Sequence, residues 1–122
     1  MPTFRKVIFD EPLWLSWWQG GTRYTRNVNV TLPPGCRVVN AYLAGYVTCY
    51  IWMTCMSIRW NGEKVYETCW GWGESGRKEI YATLGTISSG THTVDVDLWK
   101  QVWFPRDVDY FLHLELVIEY VG

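Results

Sequence analysis

Apolar and polar residues alternate along most of this chain with a period of two, and no stretch carries a helical period. The cleanest runs are Arg23 to Leu32, Thr91 to Lys100 and Tyr110 to Val121. In the first, Val28, Val30 and Leu32 face inward and Asn27, Asn29 and Thr31 outward. In the second, Val94, Val96 and Leu98 oppose Asp95 and Asp97. In the third, Leu112, Leu114, Leu116, Ile118 and Tyr120 oppose His113, Glu115 and Glu119. Such alternation describes strands with one face on a core and one in water.

Further strands are expected at Phe4 to Phe9, Leu13 to Trp18, Arg37 to Thr48, Cys49 to Trp60, Glu63 to Trp70 and Arg77 to Thr86. Asp10-Glu11-Pro12 reads as a break between the first two, and Pro33-Pro34-Gly35 as a stop. Asn61-Gly62 predicts a two-residue type I′ hairpin, because both central residues of that turn need positive φ. The run Tyr50 to Trp60 is apolar on both faces, so its outer face is expected to be covered by a long loop or another subunit. Eight or nine short strands in 122 residues predict one all-β domain over residues 1–122. Such strands with frequent turns suggest a sandwich or a barrel, and the expected architecture is a two-sheet antiparallel β-sandwich. Residues 1–9 could act as a strand-exchange arm hinged at Asp10-Glu11-Pro12.

A net charge of −1 excludes a general nucleic-acid binder, which needs a basic surface, and a polybasic membrane-surface protein. No run is long and apolar enough to insert in a membrane, and the first residues lack the apolar stretch of a signal peptide. An extracellular or virion location is expected, or a cytoplasmic one if the thiols are free. Few Asn and Gln with short loops lean towards a thermophile, although the Cys and Met content leans the other way.

Cys36, Cys49, Cys55 and Cys69 allow three two-bridge connectivities and contain no Cys-x-x-Cys pair that would suggest zinc. With a two-residue hairpin loop, Cys69 lies opposite Thr54 and Cys55 opposite Thr68, pointing to opposite faces. Any bridge is therefore expected to involve Cys36 or Cys49. No cofactor is indicated. Asp107 and Asp109 are weak calcium candidates, and Asn29-Val30-Thr31 makes Asn29 a glycosylation candidate. Gly71-Trp72-Gly73-Glu74-Ser75-Gly76 matches a dinucleotide fingerprint by letter, but a strand is expected after it where that chemistry needs a helix. Asp95 and Asp97 read as a solvated strand face, and His92 and His113 as structural, so catalytic residues are not expected.

Aromatic content is the unusual quantity. Nine Trp and eight Tyr exceed what one small core hides, since each ring system buries roughly 150–250 Å². Rings at loop rims are sugar-stacking candidates: Trp70, Trp72, Trp99 and Trp103. Phe4, Val7, Phe9, Trp14, Trp18 and Trp52 are assembly candidates.

The segments Ile58-Arg59-Trp60-Asn61-Gly62-Glu63-Lys64-Val65 and, after Leu84, Ser89-Gly90-Thr91-His92-Thr93-Val94-Asp95-Val96, followed by a long last strand, resemble the galactose-binding-like jelly roll. The likeness covers about half the chain at the level of fold. It implies carbohydrate binding through loop aromatics, often beside a structural calcium, with no ligand residue that matches one by one. The Trp- and Tyr-rich, amide-poor composition also resembles small β-sandwich virion proteins of hyperthermophilic archaeal viruses. The leading expectation is a non-enzymatic structural protein that forms a homo-oligomer or polymer, such as a virion or filament subunit. A carbohydrate-binding module is the alternative, and a small hydrolase a residual third.

Overall fold

The computed structural model describes residues 2–122. Eight strands follow one another: β1 (Thr3–Leu15), β2 (Gly21–Val30), β3 (Arg37–Cys49), β4 (Thr54–Trp60), β5 (Glu63–Trp70), β6 (Gly76–Thr83), β7 (Gly90–Lys100) and β8 (Val108–Val121). No helix forms among the described residues. The strands make two antiparallel four-stranded sheets, ordered β1-β8-β3-β6 and β2-β7-β4-β5. The pairing has a simple logic. The chain behaves as one long hairpin with its tip at Asn61-Gly62, pairing β4 with β5, β3 with β6, β2 with β7 and β1 with β8. Rolling that hairpin brings β3 against β8 and β4 against β7. This is the two-sheet antiparallel sandwich expected, wound as a jelly roll as the resemblance implied.

The inner faces interdigitate into a core that includes Leu13, Leu43, Met56, Ile58, Trp70, Leu98, Tyr110, Leu112 and Leu114. Tyr110 is buried, and its hydroxyl donates to the Cys55 carbonyl in the other sheet, tying the layers together. Burial pushes that phenol far above its ordinary value. At Gly45 on β3, an added Cβ would sit 1.9 Å from the His113 carbonyl oxygen, so only glycine allows β3 and β8 to approach there.

The hairpin tip is as expected: Asn61 and Gly62 both have positive φ, 49° and 87°. Asn61 is held further by Nδ2 against His92 Nδ1 (2.9 Å) and by accepting the Thr93 amide, and Trp60 stacks on the His92 ring. His92 is thus structural.

Three expectations are corrected. First, Asp10-Glu11-Pro12 does not break β1, which pairs with β8 of its own chain from Thr3 to Leu15. Proline is tolerated because β1 is an edge strand with a neighbour on one side only. The segment read as an exchange arm is therefore docked, with Phe9 in the core at 1% exposure.

Second, the disulfide joins Cys55 to Cys69. The two-residue turn does pair Trp60 with Glu63 and Arg59 with Lys64, but a bulge follows and Ile58 pairs with Tyr66. Skipping Val65 shifts β5 by one residue, flips its side chains to the opposite faces, and sets Cys69 opposite Cys55. Cys36 and Cys49 are free thiols.

Third, the outer face of β4 is covered by side chains of the chain itself. Cys55 lies between its bridge partner Cys69 and Trp99. Ser57 lies between Asp97 and Glu67, beside an ion-pair network in which Arg23 grips Asp97 (2.6 and 3.0 Å) and Arg59 approaches it (3.6 Å). Asp95 accepts from Thr25 (2.6 Å). The alternating aspartates read as a solvated face are thus pairing groups. On the other sheet, Tyr42 stacks on Tyr81, while Tyr46 stacks on Phe111 and His113 and carries Arg77 on its ring at 3.9 Å. These outward aromatics stack on one another, with Tyr81 left 61% exposed.

Candidate functional site

The winding sends alternate connections to opposite ends of the sandwich. The β1–β2, β3–β4, β5–β6 and β7–β8 connections, residues 16–20, 50–53, 71–75 and 101–107, share one end. Six of the nine tryptophans are exposed, and all six lie there. They are Trp14, Trp17, Trp18, Trp52, Trp72 and Trp103, exposed by 43–80%. Tyr50 and Val102 are exposed beside them.

The residues fall in two groups joined by the 101–107 connection. Trp14 closes β1, its backbone clamped by the Tyr24 hydroxyl, which donates to the Trp14 carbonyl and accepts its amide. Trp17 and Trp18 form the adjoining turn, closed by the Gln19 amide on the Ser16 carbonyl. On the other side, the 50–53 bend and the 71–75 loop bring Trp52 edge-on to Trp72, ring centres 4.8 Å apart. Between this pair and the 101–107 connection opens a recess of about 550 Å³. Tyr50, Ile51, Trp52, Met53, Trp72, Val102, Phe104 and Arg106 line it. Arg106 is the one charged residue of that lining, so the recess offers rings and methyl groups with few hydrogen-bonding groups.

The loops are fastened from beneath. Lys100, nearly buried, donates to the Trp17 carbonyl (2.9 Å) and the Phe104 carbonyl (2.7 Å), and its ammonium lies 4.8 Å from the Phe104 ring centre. Burial lowers its pKa from the usual lysine value, with Asp107 opposing. The Asp107 carboxylate accepts the Trp17 amide. Gln101 donates from its side chain to the Thr54 and Trp70 carbonyls and from its backbone to Met53. Met53 holds a left-handed φ of 62°, a conformation that costs a non-glycine residue energy and lies here at the wall of the recess. Thr54 Oγ1 donates to the Ile51 carbonyl and contacts the Cys49 thiol, whose pKa burial raises. In the 71–76 loop the Glu74 carboxylate accepts the Gly71 amide and pairs with Lys78, and both hold it below the ordinary carboxylate value. The loop feeds strand β6, so the fingerprint-like letters carry no dinucleotide geometry.

The sugar-stacking candidates divide. Trp72 (80% exposed, against Trp52) and Trp103 (63%) stand largely in solvent. Trp70 does not: it is fully buried, packs edge-on against Tyr110 and donates its indole N–H to the Gly76 carbonyl, so it is core. Trp99 is half-buried on the outer sheet face, paired across strands with Gly21 and Cys55. Of the assembly candidates, Trp14, Trp18 and Trp52 meet at this end. Phe9 is core, whereas Phe4 and Val7 lie further along β1, towards the other end. Asp107 and Asp109 do not combine with a third carboxylate, His or Cys into a metal-binding group among the described residues. Asn29 is exposed on β2 and accepts from the Thr91 hydroxyl. Trp17, Tyr50, Val102 and Arg106 were not singled out from sequence. Their common signal is loop placement at odd-numbered connections, visible only once the winding is known.

No protein-family model matches the sequence, and no curated protein sequence matches it. Among solved structures, the chain is similar to infectious bursal disease virus, Gx strain, at TM-score 0.65 and 8% identity, over 99% of this chain and 32% of that one. It is similar to the VP2 subviral particle of the same virus at TM-score 0.54 and 10% identity, over 98% of this chain and 33% of that one. It is also similar to BuGH86 in complex with neoagarooctaose, at TM-score 0.58 and 14% identity, over 98% of this chain and 20% of that one. The chain thus spans about a third or less of the length of these structures, and at such identities the likeness lies in the sandwich fold.

Proposed function

We propose that this chain is a non-enzymatic structural subunit that self-assembles, of the kind that builds a virion or an extracellular filament. The observation that carries the proposal is the aromatic end. Six tryptophans exposed by 43–80% leave on the order of 540–900 Å² of aromatic surface in water, taking roughly 150–250 Å² per ring system. The largest apolar patch on a typical monomer is about 300–600 Å². The lining favours a protein partner over a small polar ligand: Trp, Tyr, Met and Arg are the residue types enriched at protein interfaces. The jelly roll itself hosts both capsid and lectin domains, so fold leaves the choice to the site. Light scattering over a concentration series tests the proposal. A mass above one chain is expected, and a monomer at every concentration would refute it.

A second reading, a carbohydrate-binding module, is supported by Trp72 and Trp103, two flat and strongly exposed rings at loop rims. Under it, Trp72→Ala or Trp103→Ala abolishes sugar binding with the fold intact. A glycan array without any bound sugar would remove it.

A further inference from the structure

Resting on the self-assembly reading, we infer that the partner at the tryptophan end is the tryptophan end of a second copy. The contact would be two-fold, its axis crossing the 101–107 connection. Trp17 and Trp18 of each copy would then seat at the recess bounded by Trp52 and Trp72 of the other.

Three observations support this arrangement. The first is area. A stable interface takes about 800 Å² from each partner, and the exposed rings of this one end supply an area of that order. The second is what the rest of the chain can offer in return. The opposite end, where residues 31–36, 61–62 and 84–89 gather, presents Pro33, Pro34, Gly35, Ser88 and Ser89 and no aromatic ring. Outward rings on the β1-β8-β3-β6 sheet are stacked on one another. Among the described residues, exposed rings gather at the tryptophan end, while Tyr81, 61% exposed, stands on the face of the β1-β8-β3-β6 sheet against Tyr42; interface hot spots pair with hot spots. The third is the layout. Two ring groups flank one connection, and the recess of about 550 Å³ lies beside the Trp52–Trp72 group. A two-fold axis between the groups gives each recess the indoles that its own chain places elsewhere, as an isologous contact requires.

Charge distinguishes this partner from a lipid surface. Arg106 is the one exposed cation among the four connections at this end, which also carry the carboxylates Glu74 and Asp107, whereas anionic bilayers attract clusters of Lys and Arg. Such a dimer closes on itself, so it adds two chains and stops. Higher assembly would then use other surfaces.

The test is sedimentation equilibrium of the full chain, with circular dichroism as the fold check. The expected result is a monomer–dimer equilibrium, weakened at least tenfold by Trp18→Ala and by Trp72→Ala. A second measurement covers variants that fail to fold. Val102→Cys, placed near the axis in a Cys36→Ser background, should form a covalent dimer under oxidation, while Ser88→Cys at the opposite end should not. Larger assemblies in which Ser88→Cys cross-links and Val102→Cys does not would overturn the two-fold contact and leave self-assembly standing. A monomer at all concentrations would overturn both. A monomer that partitions onto phosphatidylserine vesicles would overturn both in favour of a lipid surface.

Discussion

The two ends of this sandwich have recesses of similar size, about 550 Å³ each, and opposite chemistry. One is walled by Tyr50, Trp52, Trp72 and Phe104; the other by Leu32, Pro33, Pro34, Cys36, Thr86 and Ser89. Rolled sheets leave a gap wherever connections splay, so the recess belongs to the architecture. The rings belong to the sequence. Trp60, the one tryptophan near the proline end, is 9% exposed and stacked on His92. Six exposed tryptophans gather at the other end, which is what the proposed contact would account for.

The sharpest way to break the comparison is to remove one tryptophan from each side of the boundary between core and end. Trp70→Ala should cost about 3–5 kcal/mol in a denaturant titration, because it empties the packing against Tyr110 and strands the Gly76 carbonyl. Trp72→Ala, two residues on, should stay within about 0.5 kcal/mol in the dissociated protein. Similar losses at both positions would mean that Trp72 is also structural.

Reducing the Cys55–Cys69 bridge should lower stability by about 3 kcal/mol, the entropy scale for a loop of this length. The bridge borders the tryptophan end, since Cys55 follows Thr54 at the start of β4. Amide exchange in residues 50–53 should therefore quicken on reduction more than exchange in residues 31–36.

The end must also be held rigid to act as a surface, and Lys100 is its fastening. Lys100→Met leaves the Trp17 and Phe104 carbonyls without their donor and should cost about 1–3 kcal/mol, read as faster exchange in residues 16–20 and 101–107 with residues 84–89 unchanged. Because Lys100 in the fold lies below its usual value, the unfolded chain binds more protons between the two. The penalty of keeping it charged is present below the folded value and is relieved as pH rises towards about 10.5. Lys100→Met should abolish that alkaline component.

Glu74 gives the smallest effect. Its pKa is depressed in the fold, so its contribution is present above the ordinary carboxylate value and is lost as pH falls through the folded one. Acid titration of the 71–76 loop, followed by Trp72 fluorescence, should show this step, and Glu74→Gln should remove it.

Much of the fold was legible because burial in a sandwich is a local, period-two property. Val94, Val96 and Leu98, or Leu112 to Ile118, need only their neighbours in sequence to declare a face. What was not legible depended on distant partners. Trp70 and Trp72 flank the same glycine, yet one is core and the other solvent, a difference set by Tyr110 some forty residues away. Cys69 missed its partner on paper because the bulge at Val65 leaves no signature in residue type. Pro12 looked like a strand break because edge position is a property of the sheet. The candidate site was legible as an excess of rings. Its location was not, since Trp18, Trp52, Trp72 and Trp103 converge only through the alternate placement of connections.

The central claim, that the tryptophan end is covered by another chain, is tested most directly by acrylamide quenching of intrinsic tryptophan fluorescence across a dilution series. The expected result is a quencher-accessible fraction that falls as protein concentration rises and that stays at its dilute-sample value in Trp18→Ala and Trp72→Ala. Accessibility that stays high and constant from the most dilute to the most concentrated sample would contradict it.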